Sequence, residues 1–123
     1  MTQSWNVGLM KHLGIRFIET GPERVVAEID VAEHLTTLSG AVHGGALMTL
    51  ADTVGAAGTV ASGVKTATLE SKTNFFAAGR AGVIRAEATA LHKGRRTHVW
   101  QTRVTDASGK LLSLTIQTQM VLD

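Results

Sequence analysis

One acidic side chain stands alone in a long uncharged run of this chain. From Leu35 to Val64 the sequence reads LTTLSGAVHGGALMTLADTVGAAGTVASGV, and Asp52 is its only charged residue, histidine counted as neutral. A carboxylate among apolar neighbours is costly unless it has a hydrogen-bonding partner or a chemical task. Upstream of it stand His43, Gly44 and Gly45. If a helix begins there, unpaired backbone N–H groups and the positive end of its dipole collect at the glycines. Glycine also lets a ligand approach that backbone closely. Backbone donors beside a carboxylate are the equipment for attack on a carbonyl: the donors hold the developing oxyanion, while the carboxylate activates water or attacks directly. The plainer alternative is that Asp52 braces the fold by bonding Thr49, Thr53 or a neighbouring strand.

The element that must carry these groups is legible in the spacing. Leu47, Leu50, Val54, Ala57 and Ala61 recur at three and four, one face of a helix. Met48, Ala51 and Gly58 widen that face, and Thr49, Asp52, Thr53 and Thr59 fill a narrow polar stripe. Gly55 and Gly58 each cost a helix roughly 1 kcal/mol against alanine, a cost that close approach to another backbone would justify. Gly63 suits the C-terminal cap. An aspartate at a bilayer centre costs roughly 2.5–3.5 kcal/mol on the mildest scale, so the run does not read as a membrane span.

Around this helix the pattern is mostly strand. Gln3 to Leu13 read as a short amphipathic helix, with Trp5, Leu9 and Leu13 on one side and Gly14 as its stop. Ile15 to Glu19 and Arg24 to Val31 read as strands about a Thr20–Glu23 turn, with Val25, Ala27, Ile29 and Val31 inward. A polar loop, His34 to Gly40, precedes the long helix. Thr66 to Ala78 are strand-like, with Ala67, Leu69, Thr73 and Phe75 on one face. Ile84, Ala86, Ala88 and Ala90 alternate with polar residues, and their small size leaves room for a helix to lie close. A turn at Lys93–Arg95 leads to a strand with Val99, Trp100 and Val104. Asp106–Gly109 is a hairpin loop, after which Leu112, Leu114, Ile116, Thr118 and Met120 alternate with Ser113, Thr115, Gln117 and Gln119. A long apolar helix against a mostly antiparallel sheet is an α+β arrangement. At 123 residues, positions 1–123 form a single domain.

Composition excludes several function classes. There is no cysteine, so disulfides, thiolate nucleophiles and zinc–thiolate sites fall away together. His12 and His92 lack metal-ligand spacing, and His34 and His98 read as surface residues. Ser39, Ser62 and Ser71 lack the G-x-S-x-G setting of a serine nucleophile. The net charge is only +2, and basic residues are not interleaved with aromatics, which argues against nucleic acid. The N-terminus does not read as a signal peptide, and a cytoplasmic location is the default expectation.

Val42-His43-Gly44-Gly45-Ala46-Leu47 followed by Ala51-Asp52 resembles the HGG-(x)n-D/E signature of hotdog-fold acyl-CoA thioesterases, the phenylacetate-degradation (PaaI-type) and hydroxybenzoyl-CoA group in particular. The resemblance covers nearly the whole chain. It implies a sheet wrapped around the central helix, thioester hydrolysis without metal or redox cofactor, and homodimers that share active sites, commonly paired into tetramers. It implies Asp52 as base or nucleophile, Gly44 as oxyanion donor, and His43 and Gly45 in contact with the thioester or its loop. Thr68 falls where similar enzymes carry a Ser or Thr that positions water. Asn74, Phe75 and Phe76 are candidates for the acyl pocket. Arg80, Lys93, Arg95 and Arg96, on turns, are candidates for the CoA phosphates, with charge-assisted bonds as the physical means. Thr37 departs from the pattern: similar thioesterases carry Asn or Gln there, and a threonine hydroxyl is shorter. Glu70 reads as a surface or interface charge.

Two other readings compete. A hotdog hydratase or dehydratase also uses a His and a carboxylate, but its D-x-N-P-x-H or HFPG signatures are absent. A non-catalytic acyl-CoA-binding protein is the other. One geometric point stands apart from any resemblance. At 1.5 Å per residue, a helix separates Gly44 from Asp52 by roughly 12 Å, whereas a base must come within about 3 Å of the reacting atoms or one water away. One chain cannot bring both to a single carbonyl, and a two-fold axis can.

Overall fold

A computed structural model describes residues 5–122. A short helix α1 (Gly8–Leu13) and strands β1 (Arg16–Thr20) and β2 (Arg24–Asp30) precede a 3₁₀ turn (Glu33–Leu35) and the long helix α2 (Gly44–Ala61). Strands β3 (Lys65–Phe75), β4 (Val83–Lys93), β5 (Thr97–Thr105) and β6 (Leu111–Leu122) follow. They form one antiparallel sheet in the order β1-β2-β4-β5-β6-β3. The sheet curls around α2, which touches every one of its strands. The core lies between them: Leu47, Leu50, Val54 and Ala57 of α2 pack on Val25, Ala27, Ile29, Ile84, Ala86, Ala88, Trp100, Val104 and Leu112. Burying a leucine such as Leu50 contributes about 1.5–3 kcal/mol. Among the described residues no helix is long and apolar enough to cross a membrane.

The glycines of α2 are there for close approach, though to side chains rather than to backbone. A Cβ on Gly58 would overlap the Trp100 indole, and one on Gly55 would overlap the amide of Gln117. Ser62 caps the helix, and Gly63 follows at φ +90°, where a side chain is strained. The alanines of β4 do face the helix, with Ala86 and Ala88 fully buried.

Several sequence expectations need correction. Helix α1 begins at Gly8, because Val7 is extended and Gly8 takes φ +53°; the expected start at Gln3 lies outside the described residues. Trp5 therefore precedes the helix and stacks at a tilt on Phe17, centroids 5.9 Å apart. β2 ends at Asp30, and Val31 lies beyond it. β3 ends at Phe75 rather than Ala78, and its register shifts between Thr68 and Glu70. That bulge reverses the alternation, so Ala67 and Leu69 do not share a face with Thr73 and Phe75. His98 is not on the surface. It is buried, with Nδ1 3.0 Å from the Thr59 hydroxyl, which also accepts the Trp100 Nε1–H at 2.9 Å.

Candidate active site

The start of α2 is built by its own loop. His43 N–H donates to Leu35 O at 2.7 Å and Val42 N–H to Gly79 O at 2.8 Å, which pins the lead-in to two other segments. His43 is the N-cap: its Nδ1 accepts the Gly45 N–H at 2.8 Å. Accepting there leaves Nε2 to carry the proton of the neutral ring. The carbonyl of His43 accepts from Ala46 and Leu47. Gly44 is thereby left as the one N–H of this turn with no partner among the described residues. Gly45, expected to contact the substrate, has its N–H committed to His43. Phe75, at the end of β3, lies over Gly44, and a Cβ built on Gly44 would meet its ring at 3.1 Å.

Asp52 is held by two strands. The Thr68 hydroxyl of β3 donates to Oδ1 at 2.5 Å, and Gln117 Nε2 of β6 donates to the same oxygen at 3.1 Å. The other carboxylate oxygen, Oδ2, accepts no hydrogen bond among the described residues. Thr49 and Thr53 do not brace it; their hydroxyls donate to the carbonyls of Gly45 and Thr49. Met48, Thr49, Asp52, Thr68 and Ser71 line a cleft of about 240 Å³ at this point. Thr68 anchors the carboxylate, so its single hydroxyl proton is already spent.

Behind Thr68 the chain of bonds continues. Gln119 Nε2 donates to Thr68 Oγ1 at 2.7 Å, and its Oε1 accepts from Thr66 Oγ1 at 2.8 Å. Gln117 and Gln119 are fully buried. Sequence reasoning gave neither of them a role. Their only signal was the polar half of β6, Ser113, Thr115, Gln117 and Gln119, which faces α2 while Leu114, Ile116 and Met120 face away.

The remaining candidates separate. Asn74 falls on the opposite strand face from Thr73 and Phe75 and does not join Asp52. Phe75 and Phe76 are both about half exposed. The Thr37 hydroxyl is 2.9 Å from Ser39 Oγ and accepts from Ser39 N–H, closing a local turn. Arg80 donates to Ser39 O at 2.8 Å. Lys93 Nζ is occupied by Pro22 O and Ser62 Oγ, both at 2.9 Å, with Glu23 at 3.5 Å. Arg95 and Arg96 are exposed and line a cavity of about 630 Å³ with Thr97, Met120 and Val121. Arg80 and Lys93 flank opposite ends of β4, whose eleven residues span about 33 Å at 3.3 Å each. The four cations are therefore not one phosphate site within a chain. Among the described residues no group of three or more His, Cys, Asp or Glu is placed to hold a metal ion.

The family model described as the thioesterase superfamily matches residues 39–113, which takes in α2, the Asp52 anchor Thr68 on β3, and β4 and β5 as far as the start of β6. The chain belongs to that superfamily. This thioesterase is 32% identical over 111 residues to a 1,4-dihydroxy-2-naphthoyl-CoA hydrolase of Listeria monocytogenes, covering 88% of this chain and 90% of the relative. A solved thioesterase of Haemophilus influenzae superposes with a TM-score of 0.87 at 27% identity, over 94% of this chain and 83% of that one. A hypothetical thioesterase protein of Streptococcus pneumoniae TIGR4, solved with coenzyme A, gives a TM-score of 0.84 at 26% identity, over 88% of this chain and 85% of that one. The fold of this thioesterase is the hotdog fold, a six-stranded antiparallel sheet around one long helix.

Proposed function

We propose that this thioesterase cleaves an acyl-CoA or aryl-acyl-CoA ester to the free acid and CoA, with Asp52 as the acid–base or nucleophilic group. The observation that carries the reading is the state of the carboxylate. Oδ1 is fixed by two donors, and Oδ2, at a cleft, accepts no hydrogen bond among the described residues. In the general-base route Oδ2 takes a proton from water as the water oxygen bonds to the thioester carbon. The C–S bond then breaks, and the proton passes to the departing thiolate. In the nucleophilic route Oδ2 bonds to that carbon first, CoA leaves, and water cleaves the mixed anhydride. Both need the carbonyl oxygen held, for which the Gly44 N–H at the positive end of α2 is suited.

Gly44 and Asp52 of one helix are too far apart to serve the same carbonyl. β3 is an edge strand of eleven residues with one side unpaired, and two such edges meeting about a two-fold axis would set Gly44 of one chain near the Asp52 carboxylate of the other. Leu69 and Met120, exposed on the outer sheet face, suit a second contact between dimers. The coenzyme A of the S. pneumoniae structure and the name of the L. monocytogenes relative support a CoA ester, aromatic acids included. A panel of aliphatic and aromatic acyl-CoA esters, read by release of free thiol, tests the reading. Turnover on at least one class is expected. Hydration of an enoyl thioester without thiol release, or binding without turnover across the panel, would overturn it.

A further inference from the structure

We propose that Gln117, lodged against Gly55, is the positioning residue that aims the Asp52 carboxylate, with Gln119 holding the Thr68 hydroxyl that makes the second bond to it. The inference rests on Asp52 being the reactive group. Gln117 Nε2 donates to both Oδ1 and the main-chain carbonyl of Asp52, at 3.1 and 3.3 Å. Both neighbours are acceptors, so only the nitrogen can face them; turning the amide over would set Oε1 against the carboxylate. Oε1 consequently points the other way and is buried without a hydrogen-bond partner. It lies against Gly55, where a built Cβ would come within 2.5 Å of the amide carbon. A glycine in mid-helix and an orphaned amide oxygen are both unfavourable for stability. They occur together at the one place where they let an amide reach Asp52.

The second branch is polarised by the same logic. Asp52 Oδ1 can only accept, so Thr68 sends its one proton there, and the Thr68 oxygen is left to accept from Gln119 Nε2. Thr66 Oγ1 lies 2.8 Å from both Gln119 Oε1 and the Met120 carbonyl, two acceptors for its one proton. Two donors therefore converge on Oδ1, and Oδ2 is left as the oxygen offered to water or to the thioester. Neither glutamine touches the cleft; each acts through another side chain.

The test is a double-mutant cycle on kcat, with Asp52→Asn measured in parallel. Gln117→Met keeps the volume of the side chain without its amide, and is expected to lower kcat about tenfold or more with KM little changed. Gly55→Ala is expected to do the same in the wild-type chain, by displacing the Gln117 amide, and to have almost no further effect in a Gln117→Ala background. Gln117→Glu replaces the donor by a second carboxyl beside Asp52 and should move the acidic limb of the pH–rate profile upward, as a titrating Asp52 next to a like charge requires. Should Gln117→Ala fail to fold, the kcat and KM of Gln117→Met decide. An inactive Asp52→Asn together with wild-type kcat in Gln117→Met, or additive effects of Gly55→Ala and Gln117→Ala, overturns the positioning role and leaves the thioesterase reading intact. An active Asp52→Asn overturns both.

Discussion

At the scale of the residue, Asp52→Asn isolates the chemistry from the scaffold. Asparagine keeps an oxygen for Thr68 and Gln117 at the Oδ1 position and places an NH₂, which cannot take a proton, where Oδ2 was. Folding should be retained and kcat should fall by about 10²–10⁴, the range for losing a positioned acid–base group; turnover kinetics beside circular dichroism check it. The cations can be sorted in the same way. Arg95 and Arg96 are exposed at a cavity, whereas Lys93 is spent on three oxygens of the protein. Replacing Arg95 and Arg96 by alanine should raise KM for CoA esters and spare kcat, because phosphate contacts are alike in ground and transition states. Substrates cut back to the pantetheine arm should not respond. Equal losses on both substrate types would assign the arginines a structural part. Asp52 and the His43–Gly45 turn were legible because both interrupt a strong helical pattern. Gln117 and Gln119 were not, because alternation in β6 gives two faces without saying which is inward. The apolar set, Leu114 and Ile116, is the natural choice for the inside. The polar stripe of α2 reverses it.

At the scale of the element, the interior of α2 against β5 carries two tests. Gly58 lies under Trp100, so Gly58→Ala must displace a fully buried indole whose Nε1–H is bonded to Thr59. Overpacking of this kind costs about 1–3 kcal/mol, against about 1 kcal/mol gained in helix propensity. A net loss is expected in denaturant unfolding, and a gain would show that the ring moves freely. The second test is pH. Thr59 Oγ1 accepts from Trp100 and lies 3.0 Å from His98 Nδ1, so the buried imidazole has a neutral hydroxyl as its partner and no carboxylate to favour its charged form. Burial first, and then the nearby charge of Lys93, hold His98 below the ordinary value of 6.5. The unfolded chain therefore binds the proton more readily, and stability conferred by neutral His98 is complete above pH 6.5. It is lost as the pH falls through 6.5 toward the folded value, and levels off beneath it. In His98→Gln that part of the pH dependence should vanish from unfolding curves; its persistence would place the acid sensitivity elsewhere. The burial of His98 could not be read from sequence, since a histidine two before a tryptophan carries no signal of a threonine waiting on the helix. The β3 register was hidden for a different reason: the bulge at Leu69 has no glycine or proline to mark it.

At the scale of the whole molecule, the wrapped sheet gives a physical reason for the divided site proposed above. α2 can present its N-terminal donor at one end and its carboxylate two turns later, and the curled sheet holds both rigidly apart. The helix period and the strand spacing made the layer arrangement legible, and the fixed rise per residue is what sets Gly44 and Asp52 two turns apart. The central claim is that one carbonyl is polarised by Gly44 of one chain and attacked with the help of Asp52 of another. It is tested most directly by complementation. Asp52→Asn and Gly44→Val, each inactive alone, are mixed under conditions that exchange subunits, with exchange followed by differently tagged chains. In the heterodimer one site collects both lesions and the other collects neither, so each mixed dimer should regain one working site and a 1:1 mixture about a quarter of wild-type turnover. Fully exchanged mixtures that stay inactive would contradict the shared site.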